Sequence, residues 1–133
     1  MKNNTKPIAI FAIVLSIMIN CGCPGLLEYD IRGIWSIMAA FSVNDTKNWD
    51  ISFTGDGTRG TVFLVAFDYR RSGTFVVDGK NIDIEVIGSG AIISFRGTIT
   101  NNKYMTGNGT SFYQMGSLSF NDAFTWTARR ISK

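Results

Sequence analysis

Phe124–Thr125–Trp126–Thr127–Ala128–Arg129–Arg130, read against Gly33–Ile34–Trp35 near the other end of the chain, decides the fold. In the closing stretch Phe124, Trp126 and Ala128 share one face, while Thr125, Thr127 and Arg129 take the other. That is the period-two signature of a half-buried strand. By the same parity Arg130 points inward. An inward guanidinium is unfavourable unless it sits near an open end or against an aromatic face. Trp35 is the expected partner, because in a closed sheet the first and last strands are neighbours. A guanidinium over an indole contributes roughly 1–2 kcal/mol when partly desolvated. The competing reading leaves Arg130 as a frayed terminal charge in water.

Between these ends the chain reads as a run of short strands. The first spans Arg32 to Ser42, with Trp35, Ile37, Ala39 and Phe41 inward. Asn44 to Asn48 reads as a polar connection. Trp49, Ile51 and Phe53 alternate with Asp50, Ser52 and Thr54 in the second strand. Gly55–Asp56–Gly57 makes a turn, and Gly60 to Phe67 is the third strand. Tyr69 to Ser72 links it to a fourth, Gly73 to Val77. Asp78–Gly79 is a two-residue hairpin signal. Ile82, Ile84 and Val86 line the inner face of the fifth strand, and Ile93, Phe95 and Ile99 that of the sixth. A seventh runs from Tyr104 to about Phe112. Tyr113 to Asp122 reads as a longer glycine- and serine-bearing connection with room for a broken strand. Nothing after the first twenty residues shows a helical period.

Regular short strands with tight turns argue for a sandwich or a barrel. Eight up-and-down strands without crossovers favour closure, because a closed sheet has no edges to protect. The expected fold is all-β: an eight-stranded antiparallel up-and-down barrel over residues 31–133, preceded by an N-terminal signal-peptide helix.

The front end is of a different kind. Lys2 and Lys6 precede an apolar run from Ile8 to Ile19, broken only by Ser16. At about 12 residues this is short for a membrane span and right for a signal-peptide core. Residues 1–20 therefore read as a signal peptide and 21–30 as a lipidated-cysteine region and short tether. Cys21 and Cys23 follow the apolar core directly, where a bacterial lipoprotein carries its lipobox cysteine. Cys21 is preceded by Met18–Ile19–Asn20, and Cys23 has Gly22 before it but Asn20 at the third position. Cys21 is the expected lipidation site and Cys23 the alternative. Simple secretion and retention as an uncleaved anchor are the other readings of this segment.

Once Lys2 and Lys6 leave, the net charge of +3 falls to about +1, and no basic face of the kind nucleic acids need is present. After Cys23 the chain contains neither His nor Cys, which removes imidazole bases, thiolates and the commonest transition-metal ligands. Asp50, Asp83 and Glu85 fall on outward faces, and Asp56 and Asp78 in turns. The expectation is that the protein is not an enzyme and uses no metal or cofactor.

Gly33-x-Trp35 on the first strand, with an Arg closing the last, resembles the signature of the lipocalin and avidin superfamily. Ser72–Gly73–Thr74–Phe75-x-Val77-x-Gly79-x-x-Ile82 is similar to the central hairpin of small bacterial lipocalin-like or avidin-like lipoproteins. Phe95-x-Gly97–Thr98–Ile99 with Met105–Thr106–Gly107 is similar to their sixth and seventh strands. The resemblance covers Arg32 to Arg130. It implies a calycin-type barrel and a Trp35–Arg130 structural pair that closes it, and it carries over no ligand.

Eight-stranded barrels are either filled or hold one small ligand. The ring-rich inner list argues for a plugged core. The competing expectation is a shallow apolar pocket at the mouth, rimmed by Trp49, Tyr69 and Tyr104, that takes a flat or apolar small molecule. The third strand is apolar on both faces, and Ile34, Met38 and Ala40 repeat this on the first. A strand apolar on both faces is covered on both, by the segment from Tyr113 to Asp122, by the membrane or by a second copy, and the last gives a homo-oligomer through strands one and three. The leading expectation is thus an envelope-anchored lipoprotein, at the outer membrane or cell surface rather than the inner membrane, that binds a small apolar ligand. A protein-binding barrel, such as an inhibitor of a protease or lytic enzyme, and a structural lipoprotein with no ligand are the alternatives.

Overall fold

The structure, a computed structural model, describes residues 29–42, 44–66, 70–88 and 90–133. The apolar run, Cys21, Cys23 and Tyr69 lie outside the described residues. The strands are β1 (Gly33–Ser42), β2 (Asp45–Gly55), β3 (Arg59–Val65), β4 (Arg70–Asp78), β5 (Asn81–Gly88), β6 (Ala91–Asn101), β7 (Tyr104–Met115) and β8 (Leu118–Ser132). They form a closed barrel in sequence order, every neighbour antiparallel, with β8 returning to β1. This is the eight-stranded up-and-down barrel expected from the alternation.

Closure sets two unlike ends. The start of β1, the end of β8 and the turns after β2, β4 and β6 lie at one end, the base. The turns after β1, β5 and β7 lie at the other, the mouth.

Alternation places Trp35, Ile37, Ala39, Ile51, Phe53, Val62, Leu64, Phe75 and their counterparts in the lumen, and among the described residues no polar or charged side chain is buried with them. Trp35, Phe53, Phe75, Phe95 and Trp126 are buried to within 1% of completely, so side chains fill the barrel centre. The rings meet edge to face, Phe53 against Phe75 at 5.2 Å and Phe95 against Trp126 at 5.7 Å, the arrangement their quadrupoles favour. Both buried indoles have acceptors: Trp35 Nε1 donates to the Ile31 carbonyl at 2.8 Å and Trp126 Nε1 to that of Asn108 at 3.0 Å.

Room for the rings comes from glycines on the same face. A Cβ on Gly97 would sit 2.5 Å from Trp126 Cζ2, and Gly109 stands in the same relation to the ring of Phe124. The inward face here needs the absence of a side chain.

Several boundaries differ from the sequence expectation. Asp45 to Asn48 is strand, not connection, and so are Arg70 to Ser72. The turn after β4 is Gly79–Lys80, one residue later than expected, with Asp78 opposite Asn81 and Gly79 at φ +61°. The largest difference is at Tyr113 to Asp122. There β7 and β8 continue through the segment and meet in a tight turn at Gly116, so the expected connection is a long hairpin. Closing a barrel requires strand tilt and stagger. β7 and β8 are the longest strands, and the surplus emerges at the mouth.

The base shows how Arg130 is accommodated. Trp35 and Arg130 are register partners, and the guanidinium carbon lies 4.7 Å from the Trp35 ring centroid. Its nitrogens donate to the carbonyls of Asn102 and Arg32, each at 2.7 Å, and to that of Asp30. One side chain thus ties the β6–β7 turn and the incoming chain to β8. Burial lowers the Arg130 pKa from its ordinary value, and the Asp30 carboxylate opposes that shift.

Two carboxylates at the base titrate low. Hydrogen bonds from Arg32 hold Asp30 down to about 2, and backbone N–H donors from Arg59 and Thr58 hold Asp56 down to about 2. Each pKa is depressed in the folded state. The stabilisation is therefore complete above the unfolded value, near 3.9, and is lost as pH falls through the folded one. With no His in the chain, the melting temperature should be flat from pH 5 to pH 8 and fall between about 4 and 2. Asp56→Ala should shrink that acid-side fall. A melting curve with a step near pH 6.5 would contradict it.

Candidate functional site: the barrel mouth and its projecting hairpin

The pairing of β1 with β8 ends at Ala40 opposite Thr125, and that of β6 with β7 begins at Ala91 opposite Tyr113. Beyond those points no further ladder holds the β7–β8 hairpin among the described residues, although the Gln114 N–H still donates to the Gly90 carbonyl at 3.0 Å and the Phe41 ring lies 4.8 Å from that of Phe124. Residues alternate in and out of the sheet, so Tyr113, Met115, Leu118 and Phe120 share the face of Met105, Phe124 and Trp126, which is the lumen face. The inner wall of the barrel thus continues past the mouth as an apolar surface. Tyr113 stacks on Phe120 at 6.5 Å, Met115 faces Leu118, and Leu118 is 61% exposed. No charged residue occurs from Tyr113 to Asn121.

At the foot of this wall is an open hollow of about 350 Å³. Phe41, Trp49 and Ile93 supply its apolar surface, and Asp45, Lys47, Ser111 and Asp122 its polar rim. Its floor is rigid: Trp49 packs edge to face on Phe95 at 5.9 Å and on Phe124 at 6.0 Å. The Lys47 ammonium lies 5.1 Å from the Phe41 ring centroid, where the ring face attracts it.

The expected rim of Trp49, Tyr69 and Tyr104 is not the observed one. Trp49 points into the lumen as part of the floor, whereas Tyr104 points outward on the far face of the sheet, beside Met38 and Thr127. Tyr104 opens β7 beside the β6–β7 turn, at the base and not the mouth, and Met105 is the buried member of the pair, which turns Tyr104 out. Tyr69 lies outside the described residues. Sequence reasoning missed Phe41, Tyr113 and Phe120 as mouth residues. The alternation Tyr113-x-Met115 and Leu118-x-Phe120 around Gly116 was the available signal.

On the outer wall Ile34, Met38 and Phe63 are all exposed, as the apolar faces of the first and third strands imply. Ser52 lies between Ile34 and Phe63 in the register, so a polar strand interrupts that patch. Among the described residues no group of His, Cys, Asp or Glu is placed to hold a metal ion.

No family model and no curated protein matches the chain. Among solved structures it is similar to a redesigned β-barrel, at a TM-score of 0.57 and 14% identity over 75% of this chain and 90% of that one. At that identity the likeness is one of fold: this chain is a closed antiparallel β-barrel.

Proposed function

We propose that this chain is an envelope lipoprotein that binds a small, flat apolar molecule non-catalytically. In this reading its lipocalin-like barrel holds the molecule at the mouth, between the Trp49 floor and the lumen face of the β7–β8 hairpin. The observation that carries this is the exposed apolar wall of Tyr113, Met115, Leu118 and Phe120 rising from an open hollow. At about 350 Å³ the hollow is at the low end of small-molecule sites. Because the lumen is filled, the guest lies on the barrel rather than inside it.

Orientation supports an anchored role. The described chain starts at the base, opposite the mouth. A lipid on Cys21 would leave eight residues before Tyr29, a reach of at most about 29 Å. The base would then face the bilayer and the mouth would face away from it. Metabolic labelling with an alkyne fatty acid should mark the wild type and Cys23→Ala but not Cys21→Ala. Label retained in Cys21→Ala and lost in Cys23→Ala moves the anchor to Cys23, and no label at all removes the anchored reading.

The ligand reading is tested with N-phenyl-1-naphthylamine, whose fluorescence rises in apolar sites. Binding should be micromolar, and Tyr113→Ser with Phe120→Ser should weaken it by about 10-fold, as expected for losing about 1.4 kcal/mol of apolar contact. Both residues are exposed, so melting should be nearly unchanged. Dye affinity equal in wild type and double variant would remove the site.

A second reading, a protein-binding barrel such as an inhibitor of a protease or lytic enzyme, is favoured by the filled lumen together with the uncharged, projecting hairpin. Native mass spectrometry of protein recovered from its own envelope separates the two: a retained small molecule supports the first, a retained protein the second. Neither supports the third possibility, a structural lipoprotein.

A further inference from the structure

Closing the barrel sorts its charges along the axis. Arg59, Lys80 and Lys103 stand in or beside the three turns of the base, and Arg32, Arg129, Arg130 and Lys133 at the paired ends of β1 and β8. Against these seven cations the base holds three carboxylates, those of Asp30, Asp56 and Asp78. The rest of the described barrel carries four cations against five carboxylates, and there Arg96 pairs with Asp83 at 3.2 Å. Apart from Arg129–Arg130, none of the basic residues of the base is next to another in sequence, so only the fold assembles them.

Two of the three carboxylates are turned to their own chain. Asp30 is forked by Arg32 at 2.7 and 2.9 Å, and Asp56 accepts the N–H groups of Thr58 and Arg59 at 2.8 and 2.9 Å. Arg130 is likewise engaged with carbonyls of the base. Arg59, Lys80, Lys103, Arg129 and Lys133 are all exposed round the rim. Tyr104, the register partner of Arg129, and Ile131 point outward at the same end and are 49% and 55% exposed. Tyrosine beside basic residues suits the headgroup level of a bilayer, where an apolar ring and a polar tip are both satisfied.

We propose that this basic end docks on the anionic lipid headgroups of the membrane, so that the barrel stands on its base with the mouth turned outward. In naming the membrane the proposal rests on the anchored reading above, because the chain enters the barrel at this end. Base turns lie two strands apart, roughly 10 Å round the rim. Their cations are therefore spread round a circle, which a plane of headgroups meets together and a single phosphate does not. Each Lys or Arg held near an anionic surface adds roughly five-fold to binding, within a screening length of about 10 Å at 0.1 M salt.

The barrel carries its core within residues 31–128 and closes on itself, so residues 29–133 are a self-contained unit for the test. That unit has no cysteine and takes no lipid, so this docking and the labelling of Cys21 can fail separately. It should float with phosphatidylcholine vesicles containing about one third phosphatidylglycerol at low salt, and be released at about 1 M salt, where screening is nearly complete. Vesicles of phosphatidylcholine alone should not bind it. Lys103→Gln with Lys133→Gln should weaken binding about 25-fold. Both side chains are exposed, so the melting temperature should be kept. Arg70→Glu, at the mouth end of β4, changes the net charge by the same amount and should leave binding as in the wild type. The proposal is overturned by a barrel that ignores anionic vesicles or binds neutral ones equally, by a base variant that binds like the wild type, or by an equal loss in Arg70→Glu. It is also overturned if inorganic phosphate at constant ionic strength displaces the vesicles, which would assign the cations to a small anion, or if a DNA duplex binds more tightly than the vesicles do.

Discussion

Trp35→Ala should lower the unfolding free energy by about 3–5 kcal/mol, the range for removing a fully buried large aromatic. Trp35 is completely buried, and its ring meets Phe53 on one side and the Arg130 guanidinium on another. Arg130→Ala should cost about 2–3 kcal/mol, because carbonyls of Asp30, Arg32 and Asn102 lose a charged donor. If the guanidinium and the indole stabilise each other, the double variant should be less destabilised than the sum, by about 1–2 kcal/mol. Arg130→Lys should recover little, since one ammonium cannot reproduce a planar fork that spans three carbonyls. Urea unfolding of the four proteins measures the cycle. Strict additivity would mean that Arg130 acts through its hydrogen bonds alone and that its place over the ring contributes nothing.

Gly97→Val is expected to abolish the folded barrel. The new Cβ would meet Trp126, whose ring is held by Phe95 and by the Nε1 bond to Asn108, and it would also meet the Thr106 carbonyl across the β6–β7 ladder. The ring has nowhere to move and the ladder cannot yield without losing a strand pair. Overpacking of this kind typically costs 1–3 kcal/mol where neighbours can shift, and more where they cannot. Near-UV circular dichroism, which reports the fixed tryptophans, should lose its fine structure in Gly97→Val and keep a weakened form in Gly97→Ala. A Gly97→Ala protein that melts like the wild type would show that Trp126 does not press against this backbone.

The two predictions probe different kinds of legibility. Trp35 and Arg130 could be matched from sequence because one parity argument ran along the closing strand and closure supplied the neighbour. The role of Gly97 was visible only as part of a motif, since no strand pattern says which ring will lie across a glycine two strands away. The hairpin from Tyr113 to Asp122 looks like a connection in sequence because Gly116, Ser117, Ser119 and Asn121 have turn-like composition. Its alternation was intact, but the apolar members project past the barrel into solvent, where composition and burial cease to agree. Tyr104 failed for a simpler reason. It starts β7 next to the β6–β7 turn, at the base, and the pairing of Met105 with Ile99 and Ala128 turns it outward as well.

Alternating side chains and tight turns by themselves determined that this chain makes antiparallel strands, how many, and that they close, because these follow from local stereochemistry and from the need to cover edges. Which rings meet edge to face in the lumen, which end stays open and how far β7 and β8 overrun it were decided by the tertiary structure alone. Those properties depend on barrel stagger and on contacts between residues far apart in the chain, and a period of two records neither.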